Sequence, residues 1–239
     1  MKKLFATALF TVCALGQDAP PPKLWTSSAG AGIALTSGNS DTQNVNIAFN
    51  TLWDPKTNRT FKADALYLLG RNDGEKQIDK ATANARYERL FSPRAFWFGE
   101  LNYLRDPFKD ISYLVAPLAG AGIHVINTDA RKLSFDGAVG AVVESNAGFG
   151  RDTSGALKAG QSFDWVISPV SKFQQRLNGL WKADDFGDSL YHFDAGLSTT
   201  VATRLELKVS YLYDYKNEPP APDIEKGDSA LFAAILVKF

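Results

Sequence analysis

Two histidines and one cysteine bound the chemistry open to this chain of 239 residues. His192 has Asp194 two positions on and Ser189 three positions back, the residue types of a serine–histidine hydrolytic centre. The bland alternative is a histidine in a polar lining. His124 and His192 fall near opposite ends of their segments, so they share no site. No histidine pair has ligand spacing, and the single cysteine, Cys13, lies in the apolar leader, so no metal centre is expected. Asn39, Asp41, Asn72, Asp73 and Glu75 could meet divalent cations, but solvated turns account for them. Gly120-Ala121-Gly122 precedes no helix and is not a phosphate loop; small residues there relieve crowding in a strand. These residues predict no enzyme, no catalytic residue, no cofactor and no metal.

The charges are more informative. Lys62, Lys80, Arg86, Lys158, Lys172, Arg176 and Lys208 share one parity of alternating segments with Asp64, Glu88, Glu100, Asp136, Asp164, Asp194, Glu206 and Asp214. The two signs nearly cancel there, as they do over the chain, with 26 Lys+Arg against 26 Asp+Glu. That balance excludes the basic field a nucleic-acid partner needs. A lining of this kind can hydrate a channel with weak ion preference. It can also pair across a narrow bore and occlude it, since dehydrated charges must find partners.

The elements that position these charges alternate in polarity with period two, and no useful helical period is present. Val45, Ile47, Phe49 and Trp53 oppose Asn44, Asn46 and Asn50, and Phe61, Ala63, Ala65, Tyr67 and Leu69 oppose Lys62 and Asp64. About twelve such segments follow one another from Trp25 to Phe239, each near the ~10 residues a tilted membrane strand needs. The fold class predicted is all-β: an antiparallel up-and-down transmembrane β-barrel of about twelve strands, an even count as single-chain barrels require. Connections after the odd strands read as longer and polar, notably Ser145–Ala156 and Lys216–Gly227; those after the even strands read as tight turns, such as Pro55–Asn58 and Ser92–Arg94. This alternation predicts long loops outside and both termini in the periplasm.

Aromatic residues on the apolar parity supply a second signal. Trp25, Trp53, Trp97, Trp165 and Phe239 fall beside tight turns or the chain ends, and Trp181 and Tyr191 near the longer loops. Rings of this kind prefer the membrane–water boundary, so two interfacial belts are expected. Arg89 is the misfit, a charge on the lipid-facing parity near a turn, from which it can snorkel. The N-terminus adds Met1-Lys2-Lys3, an apolar run from Leu4 to Leu15 and small residues at Ala14 and Gly16, which predict a signal peptide over 1–16. Val12 does not fit the small residue expected ahead of a lipidated cysteine. A periplasmic lead-in is expected over 17–24 and the barrel over 25–239.

Several stretches resemble the YdiY-like family, described as salt-induced outer membrane proteins. They are Leu35–Thr42 (LTSGNSDT), Tyr87–Arg94 (YERLFSPR), Tyr103–Phe108 (YLRDPF) and Tyr211–Tyr215 (YLYDY). The resemblance implies the outer membrane of a Gram-negative-type bacterium and a link to salt stress, and brings no catalytic residues. The expected role is a salt- or osmotic-stress-linked envelope protein with a narrow charged lumen, showing little standing conductance. The alternatives are a porin-like diffusion channel for small solutes and an outer-membrane lipid-modifying enzyme. The expected partners are outer-membrane lipid, lipopolysaccharide and, through Phe239, the assembly machinery, with the barrel a monomer.

Overall fold

The computed structural model describes residues 24–37, 42–72, 75–146, 150–219, 221–222 and 224–239. Twelve antiparallel strands close into one barrel: β1 (Trp25–Ser37), β2 (Thr42–Trp53), β3 (Arg59–Asn72), β4 (Glu75–Leu90), β5 (Ala95–Asp106), β6 (Ile111–Asn127), β7 (Arg131–Asn146), β8 (Gly150–Val166), β9 (Ser171–Lys182), β10 (Ser189–Ala202), β11 (Leu205–Lys216) and β12 (Gly227–Lys238). Each strand pairs with its sequence neighbours, and β1 pairs with β12 to close the ring. Trp25, Phe239 and the tight turns lie at one end, called here the terminal end. The signal-peptide segment and most of the lead-in lie outside the described residues.

Alternation decides which face of each strand points inward. Even-numbered side chains such as Phe96, Phe98, Leu118, Val142 and Leu236 are buried, whereas odd-numbered Ile33, Ile47, Val139 and Ile235 are exposed, Ile33 by 68%. An outer wall rich in exposed aliphatic side chains, broken by the Asp79–Arg105 pair and by Gln161 with Gln175, around a charged interior is the inverse of a water-soluble barrel, and it suits hydrocarbon as the outer solvent. The belts carry ring contacts: Trp25 with Trp53 and Phe61, Tyr87 with Trp97, and Trp181 edge-on to Tyr191, whose hydroxyl accepts the indole N–H at 3.1 Å. Trp165 sits under the Arg131 guanidinium. Arg89 is exposed at a strand end, opposite Arg59 and Trp97 in register.

Two expectations need correction. Ser145–Ala156 is not a long loop: β7 runs to Asn146 and β8 begins at Gly150, whose φ of 84° suits a turn. Ser154 and Ala156 bury while Arg151, Thr153 and Gly155 stay exposed, so the polar residues extend a ladder rather than interrupt it. Likewise β3 and β4 extend to Asn72 and Glu75 across the stretch read as a polar loop. The alternation of loop lengths therefore holds at 183–188 and 217–226 and not throughout.

The inner face is also less polar than the charges imply. One apolar cluster, built on β5 to β8, gathers Phe96, Phe98, Leu114, Leu118 and Val142. A second, on β2, β3, β11 and β12, gathers Leu68, Leu212, Phe232 and Leu236. They occupy opposing walls of the bore.

Candidate functional site: the ion-paired lumen

Lys62, Asp64, Lys80, Arg86, Glu88, Glu100, Asp136, Asp164, Arg176, Asp194, Glu206, Lys208 and Asp214 all occupy the even, inward parity. They do not form one uniform ring. They divide into three levels along the bore, with different degrees of pairing.

At the level away from the termini, ion pairs cross the lumen. Lys80 of β4 places its Nζ 2.6 Å from Asp214 Oδ2 of β11 and 3.3 Å from Asp106 Oδ2. β4 and β11 stand five strands apart by one route around the ring and seven by the other, so this bridge is nearly a diameter. His192 Nδ1 lies 2.6 Å from the other Asp214 oxygen. Lys109, from the short 3-10 turn Pro107–Lys109, reaches Asp228 of β12 at 3.1 Å and the carbonyls of Asp214 and Lys226. Beside them Glu144 accepts from Lys216 at 2.8 Å and pairs with Lys182 at 2.9 Å; both lysines also meet Asp188. Lys216 is 2% exposed, Lys109 3% and Glu144 1%. Ions this dehydrated persist only when each has good partners.

The middle level centres on Arg86. Its guanidinium reaches Glu100 at 2.9 Å, Asp136 at 3.1 Å and Glu88 at 3.4 Å, and it lies 3.6 Å from the centroid of Phe98. Lys158 of β8 pairs with the same Glu100. A planar cation with several donors suits this task, bridging two carboxylates while stacking on an aromatic face.

The terminal level is looser. Asp64 accepts from Asn84 and Asp164 from Gln174, both at 2.8 Å, and Lys238 holds Glu206 at 2.5 Å. Lys62 and Lys172 are exposed within it. Outside the spanning strands, the tight turn after β2 places the Lys56 ammonium 2.6 Å from Asp54. Burial alone would raise the Asp54 carboxyl; hydrogen bonds from the Lys56 side chain and backbone outweigh it and hold the group below the ordinary carboxylate range.

The Ser189, His192 and Asp194 constellation does not assemble. Ser189 donates to the Gly187 carbonyl, and His192 is taken by Asp214 rather than by Asp194. Sequence reasoning passed over His124, which does meet a serine: its Nδ1 lies 2.7 Å from Ser134 Oγ, and its Nε2 3.7 Å from Glu88. The hydroxyl is buried, and ladders on both sides of Ser134 use the backbone N–H groups that an oxyanion would need. Gly120-Ala121-Gly122 lies inside β6 as extended strand. Asn39, Asp41 and Asp73, and the side chains of Asn72 and Glu75, lie outside the described residues.

Solved structures with this fold include outer-membrane channels and porins. The NanC porin aligns with a TM-score of 0.58 at 8% identity, over 89% of this chain and all of that one. The COG4313 outer membrane channel from Pseudomonas putida F1 gives 0.52 at 12% identity, covering 90% of this chain and 94% of that one. The KdgM porin gives 0.51 at 7% identity, covering 89% and 99%. At such identities the likeness establishes the fold alone. No curated protein matches the sequence. Residues 29–239 match the family described as "Protein of unknown function, DUF481", the YdiY-like family, and the chain belongs to it.

Proposed function

We propose that the protein is an outer-membrane barrel whose lumen is closed at rest by the ion-paired level away from the termini, and that ionic strength modulates this closure. Both termini face the periplasm in this reading, lipid and lipopolysaccharide surround a monomer, and no catalysis is assigned. The observation that carries it is the Lys80–Asp214 bridge across nearly the full bore, backed by Lys109–Asp228. A twelve-strand bore lies between the roughly eight-strand barrels that side chains fill and the roughly sixteen-strand porins that leave a water channel. Long side chains of both signs, and two facing apolar clusters, can therefore fill it.

Salt gives the closure a physical lever. The Debye length falls from about 10 Å at 0.1 M to about 3 Å at 1 M, which weakens partly hydrated pairs first. Lys80 and Asp214 keep 13% and 24% side-chain exposure, whereas Lys216 and Glu144 keep almost none. The Lys80 bridge is thus the salt-sensitive part. Purified protein in a planar bilayer should show little conductance at low salt and short openings at high salt. Lys80→Gln with Lys109→Gln should open it at both. A large, steady conductance in the unmodified protein would defeat the closed-lumen reading. It would favour a passive diffusion channel, the second reading, which the exposed Lys62 and Lys172 in the terminal half of the bore support.

A further inference from the structure

The formal charges of the lumen nearly cancel, but the paired and unpaired charges do not distribute evenly. Lys80, Lys109, Lys158, Lys182, Lys216 and Lys238 each have a carboxylate within ion-pair distance. Lys172 and Lys208 have none among the described residues. We infer that these two lysines, with Ser198 and Ser210, form a binding site for a small oxyanion in the terminal half of the bore.

Register brings the site together. Ser198 of β10 stands opposite Lys172 of β9 on one side and Lys208 of β11 on the other. All three are on the inward parity, in one row across three adjacent strands. Strand spacing of about 4.8 Å puts the two lysine backbones about 10 Å apart, with the serine hydroxyl between them. Flexible four-carbon stems can then converge on one anion from both sides. The carboxylates flanking the row are engaged elsewhere: Glu206 holds Lys238, and Asp164 accepts from Gln174.

A second observation points to the same place. Ser210 is 1% exposed, and its hydroxyl has no hydrogen-bond partner among the described residues. It lies over Gly196, where a Cβ would come within 2.5 Å of Ser210 Oγ and 3.3 Å of Lys208 Cε. The absence of a side chain at Gly196 lets the Ser210 hydroxyl and the Lys208 stem pack against that backbone, which sets an orphan donor beside the lysine. A buried hydroxyl without a partner is unfavourable, and an anionic oxygen held by Lys208 would satisfy it once the flexible lysine stem gives way. Among the described residues Lys62 and Arg176 also form no ion pair; Lys62 lies within electrostatic reach of Glu88 and Asp164 first, and of Arg176 on the opposite wall. They add positive potential on the approach, which Glu88, Asp164, Asp64 and Asp194 temper, Asp194 standing opposite Arg176 in register.

The inference requires only that the bore exists, and its test does not depend on the far end being shut. Inorganic phosphate titrated calorimetrically into the folded barrel in detergent should bind saturably, and more tightly than acetate, which carries half the charge. Removing charged hydrogen-bond partners should matter: Lys172→Gln with Lys208→Gln should weaken phosphate binding by at least about tenfold. Ser210→Ala alone should weaken it several-fold, and Lys132→Gln, outside the row, should leave it unchanged. Each variant is first checked for barrel formation by its mobility on an unboiled detergent gel. If the double variant does not fold, the Ser210→Ala comparison decides. No saturation in the unmodified protein, or equal affinity in the lysine double variant or in folded Ser210→Ala, would overturn the inference while leaving the conductance question intact.

Discussion

Glu144→Gln isolates the most dehydrated ion pairs of the lumen. The carboxylate is 1% exposed and serves Lys216 at 2.8 Å and Lys182 at 2.9 Å. Removing one partner of a buried pair generally costs about 3–5 kcal/mol, against about 0–1 kcal/mol for an exposed pair. Here both lysines retain Asp188, at 3.2 Å from Lys216 and 2.6 Å from Lys182, and Lys182 retains Asp152. The cost should therefore fall at the low end, about 3 kcal/mol, or roughly 150-fold in the folded-to-unfolded ratio. Adding Lys216→Met removes the stranded cation and should recover most of the loss, because apolar replacement of a whole buried pair is often neutral or better. Urea titration of barrels folded into vesicles, followed by tryptophan fluorescence, reads both. A single variant within about 0.5 kcal/mol of the unmodified protein, the range of an ordinary surface change, would mean that water already reaches this level. The closed-lumen reading would then be wrong.

Two further outcomes test the wall and its orientation. Phe239 is largely exposed, and its backbone still pairs with Ser27, so deleting it removes one rung and one ring. If it is also an assembly signal, the yield of folded, heat-modifiable barrel on a detergent gel should fall several-fold; an unchanged yield would leave only a local contribution of about 1.5–3 kcal/mol. In a Cys13→Ala background, a cysteine at Asn217 should react with an impermeant reagent on intact cells and one at Thr57 should not. The reverse pattern would turn the barrel over.

Much of the architecture was legible because a membrane barrel writes its pattern in parity. Outward sets such as Ile33, Leu35, Val45, Ile47 and Phe49 are apolar, and one error in register would place them all in water. The lumen was less legible, since parity tells which way a side chain points and not how far along the bore its partner sits. Lys80 and Asp214 are 134 positions apart, and nothing local joins them. Lys208 shares their parity, yet it pairs with no carboxylate among the described residues. The inward aromatic residues Phe96 and Phe98 were hidden in a run, Ala95-Phe96-Trp97-Phe98, that is apolar on both faces and so carries no alternation. The 145–156 stretch misled because Gly, Asn and Asp signal turns by composition, whereas strands that run past the hydrocarbon are free to be polar.

The seam where β1 meets β12 has a consequence in time. Every other ladder joins consecutive strands and can form as the chain is delivered, whereas this one sets Ser28 against Lys238, 210 positions later (238 − 28). Loop-closure cost grows only with the logarithm of length, so the delay is more kinetic than energetic. Until the ends meet, two edges carry unpaired backbone groups that hydrocarbon cannot satisfy. Gly30 and Gly32 let the β12 backbone come close: a Cβ on Gly30 would lie 2.0 Å from the Ile235 carbonyl oxygen. Ala29, Ala31, Ala233 and Ala234 continue the run of small side chains on both strands. Small cross-strand pairs add little beyond the backbone hydrogen bonds. The last ladder to zip is therefore also the one with least to hold it shut, and a barrel under tension would part there first.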